Sequence, residues 1–96
     1  MAAGATGTRV EIEEGRRLVV TGGDAPVLRR DGGELALRPR EGGEAELDLE
    51  ALVAAGEARW TLVPAAEGPA AAAVVAGADD ALWRIRLRAG AVEVAP

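Results

Sequence analysis

The feature that most constrains the fold of this chain is an alternation of apolar and charged residues, interrupted at short intervals by glycine. In residues 8–13, Val10 and Ile12 face one side, and the charged residues between and beside them face the other. Successive side chains of a β-strand point to opposite faces, so this period of two predicts half-buried strands. Glycine turns between such strands predict hairpins and therefore antiparallel β-structure.

The first hairpin has a register that its own side chains specify. A three-residue loop at residues 14–16 places Ile12 opposite Leu18 on the apolar face. The same loop places Glu13 opposite Arg17 on the polar face. Apolar and charged pairs agree on one register, and a slip of one residue would reverse every side chain.

Turn chemistry predicts two further hairpins. Asp31-Gly32 is a strong signal for a two-residue turn, and residues 41–43 suit a three-residue loop with a left-handed glycine. The predicted cross-strand pairs are Leu28 with Leu35, Arg29 with Glu34, Leu37 with Leu47, Leu35 with Leu49, Arg38 with Glu46, and Arg40 with Glu44. Three glycine pairs lack the lysine and the spacing of phosphate-binding loops and are interpreted as hairpin turns. They are Gly22-Gly23, Gly32-Gly33 and Gly42-Gly43.

The pattern changes twice in the second half of the chain. Residues 48–56 lose the period of two and predict a short helical turn that Asp48 caps. Strand character returns at residues 58–63. Residues 65–80 allow two interpretations, a short helix after Pro69 or a weak strand around Val74.

The clearest strand begins after residue 81. Trp83, Ile85 and Leu87 face one way, and arginines occupy the alternating positions. A tight turn at Ala89-Gly90 returns the chain. The predicted cross-strand pairs are Leu87 with Val92, Ile85 with Val94, and Arg86 with Glu93.

These elements predict a single all-β domain, a small antiparallel immunoglobulin-like β-sandwich of seven or eight short strands with one or two short helical turns. A small barrel is the alternative. The domain is expected to span residues 8–96, and residues 1–7 are expected to be a disordered N-terminal segment. The 96 residues allow one domain, and the absence of cysteine excludes disulfides.

Eight residue types are absent from the chain: Ser, Asn, Gln, His, Lys, Cys, Phe and Tyr. A GC-rich genome suppresses Lys, Asn, Phe and Tyr, but it does not suppress Ser or His. Two origins therefore stay open. One is a natural domain from a GC-rich bacterium, and the other is an artificial sequence that was computationally designed or generated.

The same absences exclude most catalytic chemistry. Without Ser, Cys, Lys or His, the usual nucleophile–base pairs and the usual proton shuttle near neutral pH are missing. Carboxylates alone suit Ca²⁺ or Mg²⁺ rather than zinc. Asp79-Asp80 is the best local cluster, but it lacks the spacing of a calcium loop and is interpreted as a solvated turn. We therefore predict no enzymatic activity, no cofactor and no metal site.

One strand carries three carboxylates on the same face, namely Glu44, Glu46 and Asp48. Paired carboxylates can hydrolyse glycosides. The predicted register, however, gives Glu44 and Glu46 arginine partners. We interpret this face as a salt-bridged polar surface that helps to fix register and solubility.

Arg84, Arg86 and Arg88 form the one basic stripe and are the candidate ligand-contact residues. Such a stripe is suited to phosphate or to an anionic polymer. The alternative interpretation is cross-strand pairing with Glu93 and neighbouring carboxylates. The net charge of −5 and the absence of aromatic residues among the arginines argue against nucleic acid as a partner.

Trp60 and Trp83 are the only aromatic residues. Trp83 aligns with Ile85 and Leu87, and Trp60 aligns with Leu62, so both are interpreted as core anchors. The alternative is a sugar-binding platform or an interface anchor.

Parts of the chain resemble a known family. Residues 10–22, VEIEEGRRLVVTG, look like the opening hairpin of immunoglobulin-like β-sandwich accessory modules. These modules accompany glycosyltransferases that make cell-wall or capsular polymers in GC-rich actinobacteria. Residues 45–52, AELDLEAL, followed by Trp60-Thr61-Leu62, are similar to their strand, helical turn and Trp-bearing strand. The resemblance implies a non-catalytic module that packs against a catalytic domain or contacts glycan, with no catalytic residue to carry over.

The sequence favours a soluble, monomeric, non-enzymatic domain, an artificial β-sandwich whose role is to fold stably. The alternative is a natural accessory module that binds a neighbouring protein domain or a carbohydrate. No stretch approaches the about 18 apolar residues of a membrane span, and residues 1–7 lack the features of a signal peptide. No membrane partner is expected, and the localisation stays open.

Overall fold

A computed structural model describes residues 8–22, 24–63, 65–68, 70–88 and 90–96. Within these ranges the chain forms ten strands, one α-helix and one short 3₁₀ turn. The strands are β1 (Arg9–Glu13), β2 (Arg17–Thr21), β3 (Val27–Arg30), β4 (Gly33–Ala36), β5 (Arg38–Arg40), β6 (Glu44–Asp48), β7 (Ala58–Val63), β8 (Ala71–Ala76), β9 (Leu82–Arg88) and β10 (Ala91–Ala95). The helix α1 is Leu49–Ala54, and the 3₁₀ turn is Ala78–Asp80.

The strands form two antiparallel sheets, which confirms the predicted all-β sandwich. The four-stranded sheet has the order β1-β2-β6-β5, and the six-stranded sheet has the order β4-β3-β7-β10-β9-β8. The first order and the run β4-β3-β7-β10 match the immunoglobulin orders A-B-E-D and C′-C-F-G, with the hairpin β8–β9 added beyond G. The described residues contain ten strands rather than seven or eight.

All four predicted hairpins pair in the predicted register, including Arg38 with Glu46 and Arg40 with Glu44 across the loop at residues 41–43. In the first, Ile12 pairs with Leu18 and Glu13 pairs with Arg17 across the loop at residues 14–16. The other cross-strand pairs are Leu28 with Leu35, Arg29 with Glu34, Leu87 with Val92, Ile85 with Val94, and Arg86 with Glu93. In each hairpin the apolar pairs lie on one face and the charged pairs on the other, so the side chains define the register.

The strand predicted from residue 33 to residue 40 is divided between the two sheets. β4 belongs to the six-stranded sheet and β5 to the four-stranded sheet, and the chain crosses between them at Leu37. Leu37 is buried in the core, and its N–H donates to the carbonyl of Pro26. The predicted pair of Leu35 with Leu49 is therefore wrong, since Leu35 pairs with Leu28 and Leu49 begins α1. The alternation of apolar and charged residues continues through Leu37, because the inward-pointing residues of both sheets face the same core.

A second crossover lies where a hairpin turn was predicted. Gly22 follows β2, and the next strand, β3, belongs to the other sheet. The N–H of Gly22 donates to the carbonyl of Gly43. Gly23, the other half of the predicted turn, lies outside the described residues. The remaining glycine pairs do lie at hairpin turns, with positive φ at Gly32, Gly42 and Gly43.

The helix and β8 occupy the two segments whose pattern changes. α1 lies within the predicted residues 48–56, but Asp48 makes no side-chain hydrogen bond to the helix, and its carboxylate lies 3.8 Å from Arg38. Between residues 65 and 80, the strand interpretation is confirmed by β8, which pairs with β9. The helix interpretation is wrong, and its Pro69 lies outside the described residues. Pairing with β9 stabilises this segment as a strand, whereas a short isolated helix has little stability of its own.

The core is entirely apolar among the described residues. Eighteen apolar residues are buried and no polar or charged residue is. Trp60 is 1 % exposed, whereas Trp83 is only partly buried and packs at the rim of the core. The described part of the chain contains no helix of the length and apolarity that a membrane span requires.

One short segment covers the outer margin of β1. Glu67 forms a parallel bridge with Arg9, its N–H donates to the carbonyl of Thr8, and its carbonyl accepts from the N–H of Val10. Gly68 lies so close to β1 that a Cβ there would collide with the carbonyl oxygen of Val10. Residues 66–68 therefore cover the start of this edge, where they bind the carbonyl of Thr8 and the N–H of Val10.

Candidate functional site

The predicted basic stripe lies on the outer face of the six-stranded sheet. In β9, Ile85 and Leu87 are buried, and the side chains of Arg84, Arg86 and Arg88 alternate with them and are exposed. Alternate residues of a strand are about 7 Å apart along its axis. The structure thus brings the three arginines into one row on a solvent-facing surface.

A fourth arginine joins this row from a neighbouring strand. In β7, Trp60 and Leu62 point into the core, so Arg59 points outward. The sheet register places Arg59 opposite Glu93, and Glu93 opposite Arg86. The alternation around Trp60 already predicts an outward Arg59. Its proximity to β9 depends on the strand order, which a single sequence does not reveal. We call Arg59, Arg84, Arg86 and Arg88 the arginine face.

The arginine face has no ion pair among the described residues. None of its four guanidinium groups lies within 4.0 Å of a carboxylate, although Glu93 sits between Arg59 and Arg86 in the register. The alternative interpretation, in which Glu93 neutralises the stripe, is therefore not realised in this geometry.

The opposite sheet uses its arginines differently. Arg17, Arg38 and Arg40 each lie within 4.0 Å of two or more carboxylates. Glu46 alone is shared by all three, at 3.8, 3.7 and 3.6 Å. Within the described residues, the arginine face therefore carries positive charge that no carboxylate within 4.0 Å offsets.

Charge is thereby separated within one acidic molecule. The outward positions of the six-stranded sheet carry five arginines and two glutamates, and one of these arginines, Arg29, is bound to Glu34 at 2.8 Å. That surface has a net charge of +3, while the chain as a whole carries −5. A local positive field on a low-dielectric surface attracts anions even when the whole protein is acidic.

A separate cleft lies between α1, the end of β8 and the 3₁₀ turn. Its volume is about 650 Å³, and Trp83 forms part of its wall. The lining residues are Glu50, Val53, Ala54, Ala76, Gly77, Ala78, Ala81 and Trp83. The wall is largely apolar, and among the side chains that the structure describes Glu50 is the charged one. A sugar needs several hydrogen-bonding groups beside the stacking ring, so this cleft is less suited to carbohydrate than the arginine face.

In the described part of the chain, the carboxylates are dispersed or lie beside arginines. No cluster of three or more potential metal ligands occurs in the described residues. Glu44 and Glu46, together with Asp48, lie on the four-stranded sheet, where Arg40 lies 3.5 Å from Glu44 and 3.6 Å from Glu46. Asp80 lies in the 3₁₀ turn and is exposed.

The comparisons with known proteins add no relative. No family model, no curated protein and no solved structure matches the chain. The resemblance to accessory modules of glycosyltransferases therefore stays a prediction. Any argument about function rests on the arginine face and on the fold that presents it.

Proposed function

We propose that this chain is a non-catalytic binding module that takes up an anionic carbohydrate polymer on the arginine face. The observation that carries the proposal is the absence of carboxylate partners, within the described residues, around Arg59, Arg84, Arg86 and Arg88. Guanidinium groups bind carboxylate and phosphate oxygens through paired hydrogen bonds. Unpaired arginines on one face are thus ready to bind such groups without first breaking internal ion pairs.

The shape of the site favours a polymer over a small molecule. The cavities along the arginine face are open depressions lined by its arginines and Glu93, and none of those found among the described residues encloses a small ligand. A row of point contacts about 7 Å apart along β9 suits a chain that carries repeated charges. Carbohydrate is favoured over nucleic acid because both tryptophans point inward, which leaves no ring on this face for base stacking.

The proposal is tested with polygalacturonate and heparin as anionic probes and a neutral glucan as the uncharged comparison. Binding is measured by isothermal titration calorimetry between 20 and 300 mM salt. The triple variant Arg84→Gln, Arg86→Gln, Arg88→Gln should bind at least about tenfold more weakly. Its plot of log affinity against log salt should have a slope shallower by about two.

A matched control removes the same charge from elsewhere on the surface. The triple variant Arg9→Gln, Arg16→Gln, Arg38→Gln replaces three exposed arginines outside the arginine face. It should bind within about twofold of the parent chain at each salt concentration. Equal losses in the two triple variants, or equal affinity for the neutral glucan, would refute the proposed site.

A second candidate is an artificial chain whose role is to fold stably. It is supported by the absence of buried polar residues from the described core and by the uniform apolar-in, charged-out register of the hairpins. The apolar core and the register are what a sequence optimised only for folding would contain. The buried Nε of Arg17 and Nε1 of Trp60, which have no hydrogen-bond partner, depart from that pattern. Failure of every anionic probe to bind at 20 mM salt would favour this candidate over the binding module.

Catalysis is tested separately on the one carboxylate cluster that resembles a glycosidase pair. We propose that Glu46, which has three arginine neighbours, fixes the register of the four-stranded sheet and does not transfer protons. The chain should therefore release no reducing sugar from the same polymers. Hydrolysis that Glu46→Gln abolishes would overturn the non-enzymatic assignment.

A further inference from the structure

Three of the four sheet margins carry features that discourage strand addition. β1 is covered by residues 66–68. β5 has only three residues, with Pro39 at its centre between two arginines, and β4 has four residues with Glu34 pointing outward. Coverage, proline, charge and short length are the means by which proteins protect exposed sheet edges.

The fourth margin, β8, lacks proline, charge and short length, although β1 and α1 approach it from the core side. Its six residues, Ala71–Ala76, are uncharged and contain no proline. Among the described residues, β9 pairs with one side of β8 and no strand or backbone hydrogen bond occupies the other. Val74, on the outer face of β8, is 63 % exposed, and Leu82 on the adjacent strand is equally exposed.

We propose that β8 pairs with β8 of a second copy in antiparallel orientation, with Val74 on the two-fold axis. The two six-stranded sheets then form one continuous sheet. Opposite residues of an antiparallel pair share a face, so this register places Val74 against its own copy and Ala72 against Ala76 of the partner. Both outward alanines are exposed, and the pairing brings the two exposed valines into contact across the axis.

The charges near the two ends of β8 are compatible with a second copy as the occupant. Ala72 pairs with Arg86 on β9, whereas Ala76 lies beside Asp48 and Glu50 as well as Arg16 and Arg17. Antiparallel pairing brings Arg86 of one copy towards these two carboxylates of the other. Val74 pairs with Arg84, and the two copies of Arg84 are separated by three strand spacings, about 14 Å. That separation exceeds the screening length of about 8 Å at physiological salt.

Disulfide cross-linking of single-cysteine variants tests the register of the β8–β8 pair directly. The parent chain contains no cysteine that could form a competing disulfide. Opposed Cα atoms of an antiparallel pair lie about 4.5–5.5 Å apart, within the range that a disulfide spans. The variant V74C should therefore form a covalent dimer under mild oxidation. The variant A72C is the matched control, exposed on the same face of the same strand, and it should cross-link at least about tenfold more slowly because its copies are offset along the axis.

Sedimentation equilibrium of the unmodified chain gives the second readout. The mass should rise with concentration from 9.8 kDa towards twice that value. V74K places two like charges on the axis and should weaken dimerisation at least about tenfold. T61K adds the same charge to an interior strand of the same face and should leave dimerisation unchanged.

Three results would overturn the proposal. They are a constant monomer mass up to millimolar concentration, equal cross-linking of V74C and A72C, and equal weakening by V74K and T61K. Circular dichroism shows whether each variant keeps its β-structure, and a covalent V74C dimer is evidence of pairing whatever V74K does to folding. The proposal does not depend on glycan binding, so the failure of either leaves the other intact.

Discussion

The guanidinium carbon of Arg30 lies 4.6 Å from the centroid of the Trp60 ring, and its Nη1 donates to the carbonyl of Ala55 at 3.2 Å. Arg30 ends β3 at a position whose side chain points toward the core side. It therefore covers the largest buried side chain and also supplies a donor to the carboxyl end of α1, where cations are favourable.

Arg30→Ala should lower the free energy of unfolding by about 1–2 kcal/mol, because it removes a cation–π contact and a charge-assisted hydrogen bond. Urea denaturation followed by tryptophan fluorescence measures the loss. Arg29→Ala on the same strand is the control. Its side chain pairs with Glu34 on the exposed face, and such pairs contribute about 0–1 kcal/mol. Equal losses in both variants would contradict the special role of Arg30.

Trp60 and Trp83 should differ in what they contribute to stability. Trp60 is almost completely buried, and its replacement by Ala should cost about 3–5 kcal/mol. Trp83 is only partly buried beside an open cleft, so Trp83→Ala should cost no more than about half as much. Chemical denaturation of each variant gives the two values. A larger loss at Trp83 would show that the rim of the core, rather than its centre, dominates the packing.

The sequence predicts the hairpins well because each hairpin is defined by local information. Ile12 and Leu18, or Ile85 and Val94, are close along the chain, and one register satisfies their apolar and charged neighbours at once. The alternation does not show which layer a strand joins. At Leu37 the chain changes sheets without any break in the pattern, since a residue that points inward does so from either sheet.

The candidate site was only partly predictable for the same reason. Arg84, Arg86 and Arg88 share one strand, so their common face follows from the period of two. Arg59 joins them only because β10 lies between β7 and β9, a non-local arrangement. Arg30 occupies an inward position of its hairpin, and a charged residue at an apolar position of the alternation is the sequence signal that marks it.

Gly68→Ala should loosen the segment that covers β1. The new Cβ would collide with the carbonyl oxygen of Val10, and the backbone has to move to relieve the collision. We expect a loss of about 1–3 kcal/mol, with faster hydrogen exchange at the amides of Val10 and Glu67. Gly33→Ala is the control, because its Cβ would meet only the flexible side chain of Arg30 at 3.3 Å. Unchanged exchange at both amides would contradict the prediction.

Glu46→Gln should destabilise the four-stranded sheet by about 1 kcal/mol, because three arginines lose the carboxylate that they share. The loss should shrink as salt is added, since screening weakens the repulsion among the remaining cations. Thermal unfolding at 20 and 500 mM salt measures both effects. Glu11→Gln on the exposed face of β1 is the control and should change stability by less than about 0.5 kcal/mol. A salt-independent loss would mean that Glu46 acts by packing instead of charge.

The unequal margins of the two sheets also limit how far this protein can polymerise. A protein with two open sheet edges can add further copies at both edges and so form a fibre. This sandwich has a single long uncharged edge among its described strands. Once that edge is occupied, the strands that remain at the perimeter are short, proline-bearing or already covered. Growth by edge addition therefore terminates after one step, and a fibril would require the sandwich to unfold first.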